Sequence, residues 1–260
     1  MELIYWIILF SLLGGVLSVL AASVFLLVPE PWRSRLLPHS VSFAIGALLG
    51  AAFLALLPHA ITGEQRVEVH DLGLTVLLGM LGFFLLEKMV IWRHCHSTHC
   101  EAHDPHEPHN EHKAAGTLIL IGDGLHNLVD GVLIAAAFMT DIHLGIVTSL
   151  AVATHEIPQE IGDFAVLLNN GFSRAKALWY NVLVSLTTVV GALLAYYSLS
   201  GMNQVLPYIL AIAAASFIYI AVADLIPGLH KRTQFSATVQ QVALIAAGVL
   251  VIYLAHSTLH

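Results

Sequence analysis

Charge is what this sequence has least of. Of its 260 residues only 10% are Asp, Glu, Lys or Arg, and the ten basic ones form no stripe that could meet a nucleic acid. Long apolar runs stand where a charged surface would be: 58% of residues are hydrophobic and the mean hydropathy is strongly positive. That composition argues against a soluble enzyme built around one large core. Cysteine is nearly absent, with Cys95 and Cys100 the two in the chain. The formal net charge of -7 says little by itself.

Eight apolar runs have the length needed to cross about 30 Å of hydrocarbon. They are residues 3–27, 40–61, 72–92, 115–139, 143–168, 174–199, 204–227 and 237–257. The expected fold is an all-α membrane protein of eight transmembrane helices, one domain over residues 1–260 set in a lipid bilayer, with a His-rich loop at 93–113. MELIYW, ahead of the first run, carries Glu2 and no Lys or Arg, so that run reads as a retained span rather than a cleaved signal peptide.

Basic residues set the orientation. If the chain starts outside, inner loops and helix ends hold Arg33, Arg35, Lys88, Arg93, Lys113, Arg174, Lys176, Lys231 and Arg232, and the outer loops hold only Arg66. Both termini are then outside and the His-rich loop is cytosolic.

Six acids fall inside the expected spans: Asp123, Asp130, Glu156, Glu160, Asp163 and Asp224. An acidic residue near the centre of a spanning helix costs about 2.5–3.5 kcal/mol on insertion scales. No Lys or Arg lies in the interior of helices four to eight to neutralise them. Such carboxylates are protonated, line a wet cavity or bind a mobile cation, and the last reading is preferred.

Their companions say which cation. In GDGLHNLVDG on helix four, His126 and Asp130 are four apart and share a face, with Asp123 one turn away and Asn127 adjacent. In HEIPQEIGD on helix five, His155 and Gln159 share a face, and Glu156 and Glu160 form a second pair rotated by one residue. A lone intramembrane histidine is often a packing residue. Two in register with four acids suit a mixed nitrogen and oxygen site between helices four and five, which favours Zn(II) and less selectively Fe(II), Mn(II) or Cd(II). Sodium, calcium and magnesium would have little use for imidazole. Pro158 removes one helical hydrogen bond at this depth, and a break there is expected beside a cavity. Asp163, Glu160 and Asp224 read equally well as pathway or packing residues.

The loop RHCHSTHCEAHDPHEPHNEHK has a metal-binding composition in His94, Cys95, His96, His99, Cys100, His103, His106, His109 and His112, without the fixed spacing of a folded zinc module. It is expected to be a metal buffer or sensor, its cysteines kept as thiols on the cytosolic side. One reading from a different class is an intramembrane zinc-dependent hydrolase or protease, since HEIPQ begins like H-E-x-x-H. The second histidine is missing, however, and a proline interrupts the helix that would present it.

HNLVDG and HEIPQEIGD resemble the paired signature motifs of the ZIP (ZRT/IRT-like protein) metal transporters, in the branch whose fifth helix reads HExPHExGD. The resemblance covers nearly the whole chain. It implies a transporter rather than an enzyme, moving a divalent metal as its substrate, usually zinc, into the cytosol across the plasma or inner membrane. It also implies a homodimer and no organic cofactor. Carried over by motif position, His126, Asp130, His155 and Gln159 form the principal site, and Asn127 and Glu156 join Asp130 and Gln159 around a second metal. The chain departs from the pattern in three places. Gln159 stands for a histidine, which should soften selectivity for zinc. Ala51 and Ala55 stand for an Asp and a His of helix two, leaving His59 near the outer end. The sixth helix offers Ser185, Thr187 and Thr188 where some relatives supply an acid.

Overall fold

A computed structural model describes residues 2–63, 67–94, 111–230 and 234–259. Among these residues the protein is all-helical, and eight long helices follow one another. Helix α1 is Leu3–Phe25. Helix α2 starts as Glu30–Gly50, passes through a π-helical turn Ala51–Leu56 and ends as Leu57–Thr62. Then come α3 (Val69–His94), α4 (Glu111–Thr140), α5 (Ile142–Asn169), α6 (Arg174–Leu199), α7 (Leu206–Leu229) and α8 (Phe235–Leu259). Seven are long and apolar enough to cross a membrane. The remaining one is α5, whose apolar run is interrupted by HEIPQEIGD.

Two expectations need correction. The segment PEPWRSRLLPH, which falls between the first two expected spans (3–27 and 40–61), is mostly helix: α2 begins at Glu30 and runs on through Pro38. Pro31 sits in the first turn, where a missing N–H costs nothing, and one internal proline removes one hydrogen bond from a helix of 21 residues. The break expected at Pro158 is likewise absent, since α5 is continuous from Ile142 to Asn169 and Pro158 is buried. Packing on every side holds the helix together across one lost bond.

That packing is the organising fact of the fold. The helix least suited to lipid is the one most enclosed by protein: α5 buries residues all round its circumference, from Leu144 and Val147 to His155, Glu156, Glu160 and Leu167. It packs against α1, α2, α4, α6 and α8. By contrast α3 and α8 present Leu74, Leu77, Leu78 and Leu81, and Val242, Leu250 and Tyr253, on exposed apolar faces suited to lipid.

Glycine sets the closest helix approaches. A Cβ at Gly131 of α4 would lie 1.9 Å from the Thr188 carbonyl oxygen of α6, and one at Gly191 of α6 would lie 2.0 Å from the Leu128 carbonyl oxygen of α4. The two backbones therefore touch, as small residues allow in membranes. Helix α3 reaches α7 in the same way at Gly79 and Ala215, and the Tyr219 hydroxyl donates to Glu87 across that pair. The π-helical turns fall in α1 (Leu13–Leu17), α2 (Ala51–Leu56) and α7 (Ile220–Leu225), and Gly14 in the first packs on Val152 of α5.

Candidate metal site

Asp141 alone joins α4 to α5, and its Oδ1 accepts the Leu144 amide 2.9 Å away as an N-cap. This tight hairpin sets the two polar stretches side by side. His126 and Asp130 come from α4, His155 and Glu156 from α5, and one ligand atom from each lies within 4.8 Å of every other. The Asp130 Oδ2 is 3.2 Å from His155 Nε2 and 3.6 Å from His126 Nε2. Glu156 Oε1 is 3.5 Å from His126 Nε2 and 3.7 Å from His155 Nε2. The two Nε2 atoms are 3.2 Å apart.

The group is almost dry. Asp130, His155 and Glu156 are at most 1% exposed, while His126 keeps 22% of its side chain accessible. None of the four carboxylate oxygens of Asp130 and Glu156 has a hydrogen-bond partner among the described residues. Two adjacent carboxylates left unsatisfied in an apolar interior are costly unless a cation joins them. His155 Nδ1 lies 3.2 Å from the Ala151 carbonyl one turn back. As the donor in that contact it fixes the ring so that Nε2 faces the cluster, the arrangement that orients metal-bound histidines.

Asn127 and Gln159 do something else. Asn127 Nδ2 and Gln159 Nε2 both donate to Asp123 Oδ1, at 3.0 and 3.1 Å. A carboxylate can only accept, so the Asn127 amide must turn its oxygen the other way, where it takes the Thr188 hydroxyl of α6 at 2.8 Å. Asp123, Asn127, Gln159 and Thr188 thus form a polar layer next to the four-residue group, tying α4, α5 and α6 together. Thr188→Val would leave the Asn127 oxygen buried without its donor. A loss of about 1 kcal/mol is expected, read as a lower thermal midpoint of the purified protein. An unchanged midpoint would show that this bond holds nothing.

The other sequence candidates are dispersed. Glu160 is buried one turn beyond Glu156 and neither of its oxygens has a hydrogen-bond partner among the described residues. Asp163 is half-buried on the same helix, and Asp224 lies in the π-helical turn of α7 and is exposed. His59 is near the end of α2, four residues beyond Ala55 and eight beyond Ala51, both of which are fully buried. Cys95, His96, His99, Cys100, His103, His106 and His109 lie outside the described residues, and for His94 and His112 the description is of the backbone alone.

Sequence reasoning passed over Asn181 on α6, which is 1% exposed with neither amide atom hydrogen-bonded among the described residues. A single Asn at the start of NVLVSLTTVV was its only signal. It also passed over Phe217 of α7, whose ring meets His155 edge-on at 6.2 Å between centroids. Nothing in an apolar run distinguishes that Phe from its neighbours.

Comparison with known proteins bears on what such a site does. Residues 3–115 and 92–256 match the family model described as ZIP Zinc transporter. The chain is similar to zinc transporter ZIP13 of Mus musculus, 34% identical over 255 residues that cover 86% of this chain and 70% of that protein. Zinc transporter ZIP13 of Homo sapiens is 30% identical over 265 residues, covering 86% of this chain and 71% of that protein. Zinc transporter zipt-7.2 of Caenorhabditis elegans is 30% identical over 300 residues, covering 93% and 64%.

Proposed function

Because the chain belongs to the ZIP zinc transporter family, and is an integral membrane protein that transports zinc rather than an enzyme, we propose that the ion crosses through His126, Asp130, His155 and Glu156. One observation carries this reading: two buried carboxylates without hydrogen-bond partners converge with two imidazole nitrogens inside 4.8 Å. Two nitrogens and two oxygens are a donor set that zinc accepts in tetrahedral geometry. Family membership leaves the hydrolase reading without support.

Asn127 and Gln159 stand beside this group. Bonded to Asp123, they hold the neighbouring carboxylate in place and turn their oxygens to a second ion only when that layer opens. Gln159 in place of imidazole leaves room for Fe(II), Mn(II) or Cd(II) as well. Asp123, Glu160, Asp163 and Asp224 continue the polar line along α4, α5 and α7 toward the end of the bundle that carries the His-rich segment.

The enclosed α5 completes eight spans, and an even number puts both termini on one side. The bias of Lys and Arg makes that side the outside and the loop at 93–113 cytosolic. The family resemblance, not the orientation, makes transport an uptake into the cytosol across the plasma or inner membrane, by a homodimer in which each protomer has its own path and a His-rich loop that buffers the released ion. Helices rocking about the site would expose it to each side in turn.

The test is zinc flux into vesicles holding the purified protein in a known orientation. Flux is expected when zinc is supplied on the side of the termini, and to be slower under the same gradient reversed. Equal flux both ways would remove the directional part of the proposal, and no flux either way would remove the transport path.

A further inference from the structure

A second pair of histidines stands at the other end of the bundle from the His-rich segment. His59 is near the end of α2 and His256 near the end of α8, both half-buried. Their ring centroids are 5.3 Å apart at an interplanar angle of 71°. The central pair, His126 and His155, has 5.4 Å and 80°. Two imidazoles on one tetrahedral zinc, with Zn–N lengths of about 2.0 Å, put their centroids roughly 5 Å apart. The outer pair therefore has the spacing of co-ligands, as the inner pair does.

A second likeness concerns the rings' other nitrogens. His59 Nδ1 lies 2.9 Å from the Ala55 carbonyl four residues back, as His155 Nδ1 lies near that of Ala151. Donation there fixes the orientation of the ring in advance, as it does at metal-bound histidines.

Position gives the pair a use. His59 lines a cavity of about 260 Å³ with Gly63, Thr140, Asn203, Leu206 and Leu210, where α2, α4 and α7 end or begin. Leu210 is a wall of that cavity, and Phe217, seven residues further along α7, touches His155. Two helical turns span about 10 Å, so α7 runs from the mouth to the central site in that distance. Ala51 and Ala55 on α2 are fully buried and offer no side-chain ligand between them.

We propose that His59 and His256 form a metal-capture site at the mouth of the pathway, which takes zinc from solution and passes it inward. The proposal rests on the transport reading above. His256 supplies from α8 what α2 lacks at Ala51 and Ala55.

Zinc uptake into vesicles by the full-length protein, measured against zinc concentration, tests this. His59→Ala and His256→Ala are each expected to raise the half-saturating zinc concentration about 10-fold, with a smaller fall in maximal rate. The double variant should be no worse than either single one, because both ligands hold the same ion. Half-saturation within twofold of the unaltered protein would overturn the capture site, and so would two effects that multiply. A readout independent of transport is zinc retained after equilibrium dialysis in the His155→Ala background. Adding His256→Gln should release one further ion, and no change would count against the site. His155→Ala itself should lose transport at every zinc concentration. Retained transport there would sink the central site while leaving the mouth measurements readable.

Discussion

Asp130→Ala is expected to bring zinc uptake down to the level of empty vesicles while leaving the fold intact or firmer. Asp130 Oδ2 lies 3.6 and 3.2 Å from the His126 and His155 nitrogens and Glu156 Oε1 3.5 and 3.7 Å, so removing Asp130 takes one of two shared carboxylate ligands, and the nearer one to His155, from the cluster. Losing even a supporting group at a metal site costs about 10–100-fold in affinity, and loss of a charged ligand exceeds that. Stability should move in the opposite direction. An acid in the interior of a span carries an insertion cost of about 2.5–3.5 kcal/mol, and without zinc nothing hydrogen-bonds to Asp130 among the described residues. The variant should therefore unfold at a temperature equal to or above the parent's in chelator, and should lose the rise in midpoint that zinc gives the parent. Uptake above a tenth of the parent's rate, or a midpoint that still climbs with zinc, would remove Asp130 from the site.

Gly131→Val is expected to do the reverse, preserving every ligand and destroying the frame. Even the first atom of a side chain at Gly131 would stand 1.9 Å from the Thr188 carbonyl oxygen and 2.8 Å from the Ala192 amide nitrogen. Both are backbone atoms of α6, which no rotamer change can move aside. The helices must part, and the Thr188 bond to Asn127 and the Thr187 bond to the Gly124 carbonyl go with them. A loss of about 3 kcal/mol, the upper end for overpacking, should appear as poor recovery of monodisperse protein and a sharply lower midpoint. Gly191→Val, against the Leu128 carbonyl, should match it. Gly124→Ala is the control: its Cβ would meet only Val184 Cγ1 at 3.6 Å, an ordinary contact. If Gly131→Val is as stable as Gly124→Ala, the contact between α4 and α6 is not what holds the frame.

Much of this was legible in the residues because lipid imposes so simple a rule. The apolar runs gave the eight helices to within a few residues at most ends, and the i, i+4 spacing of His126 and Asp130 was enough to put them on one face. The start of α2 was hidden because PEPWRSRLLPH carries prolines and charges that read as a loop, although one proline in a first turn and one inside a long helix are tolerated. Gln159 entered the expected site by motif position and shares a face with His155, but neither fixes a rotamer. The side chain turns to Asp123 because an amide donor is drawn to a buried carboxylate. The three π-helical turns carried no signal, since a widened turn needs no particular residue.

The enclosure of α5 has a consequence for how the protein is made. On the eight-span reading proposed above, a segment that displays HEIPQEIGD does not partition into the bilayer by its own oiliness and enters together with a more apolar companion. Asp141, the single residue between α4 and α5, ties the two as a hairpin, and the later arrival of α6 and α8 closes the ring around them. Biogenesis is then ordered by chemistry. Ribosome-bound chains halted after α5 should remain extractable or translocon-associated, and become firmly embedded only once the downstream helices have emerged.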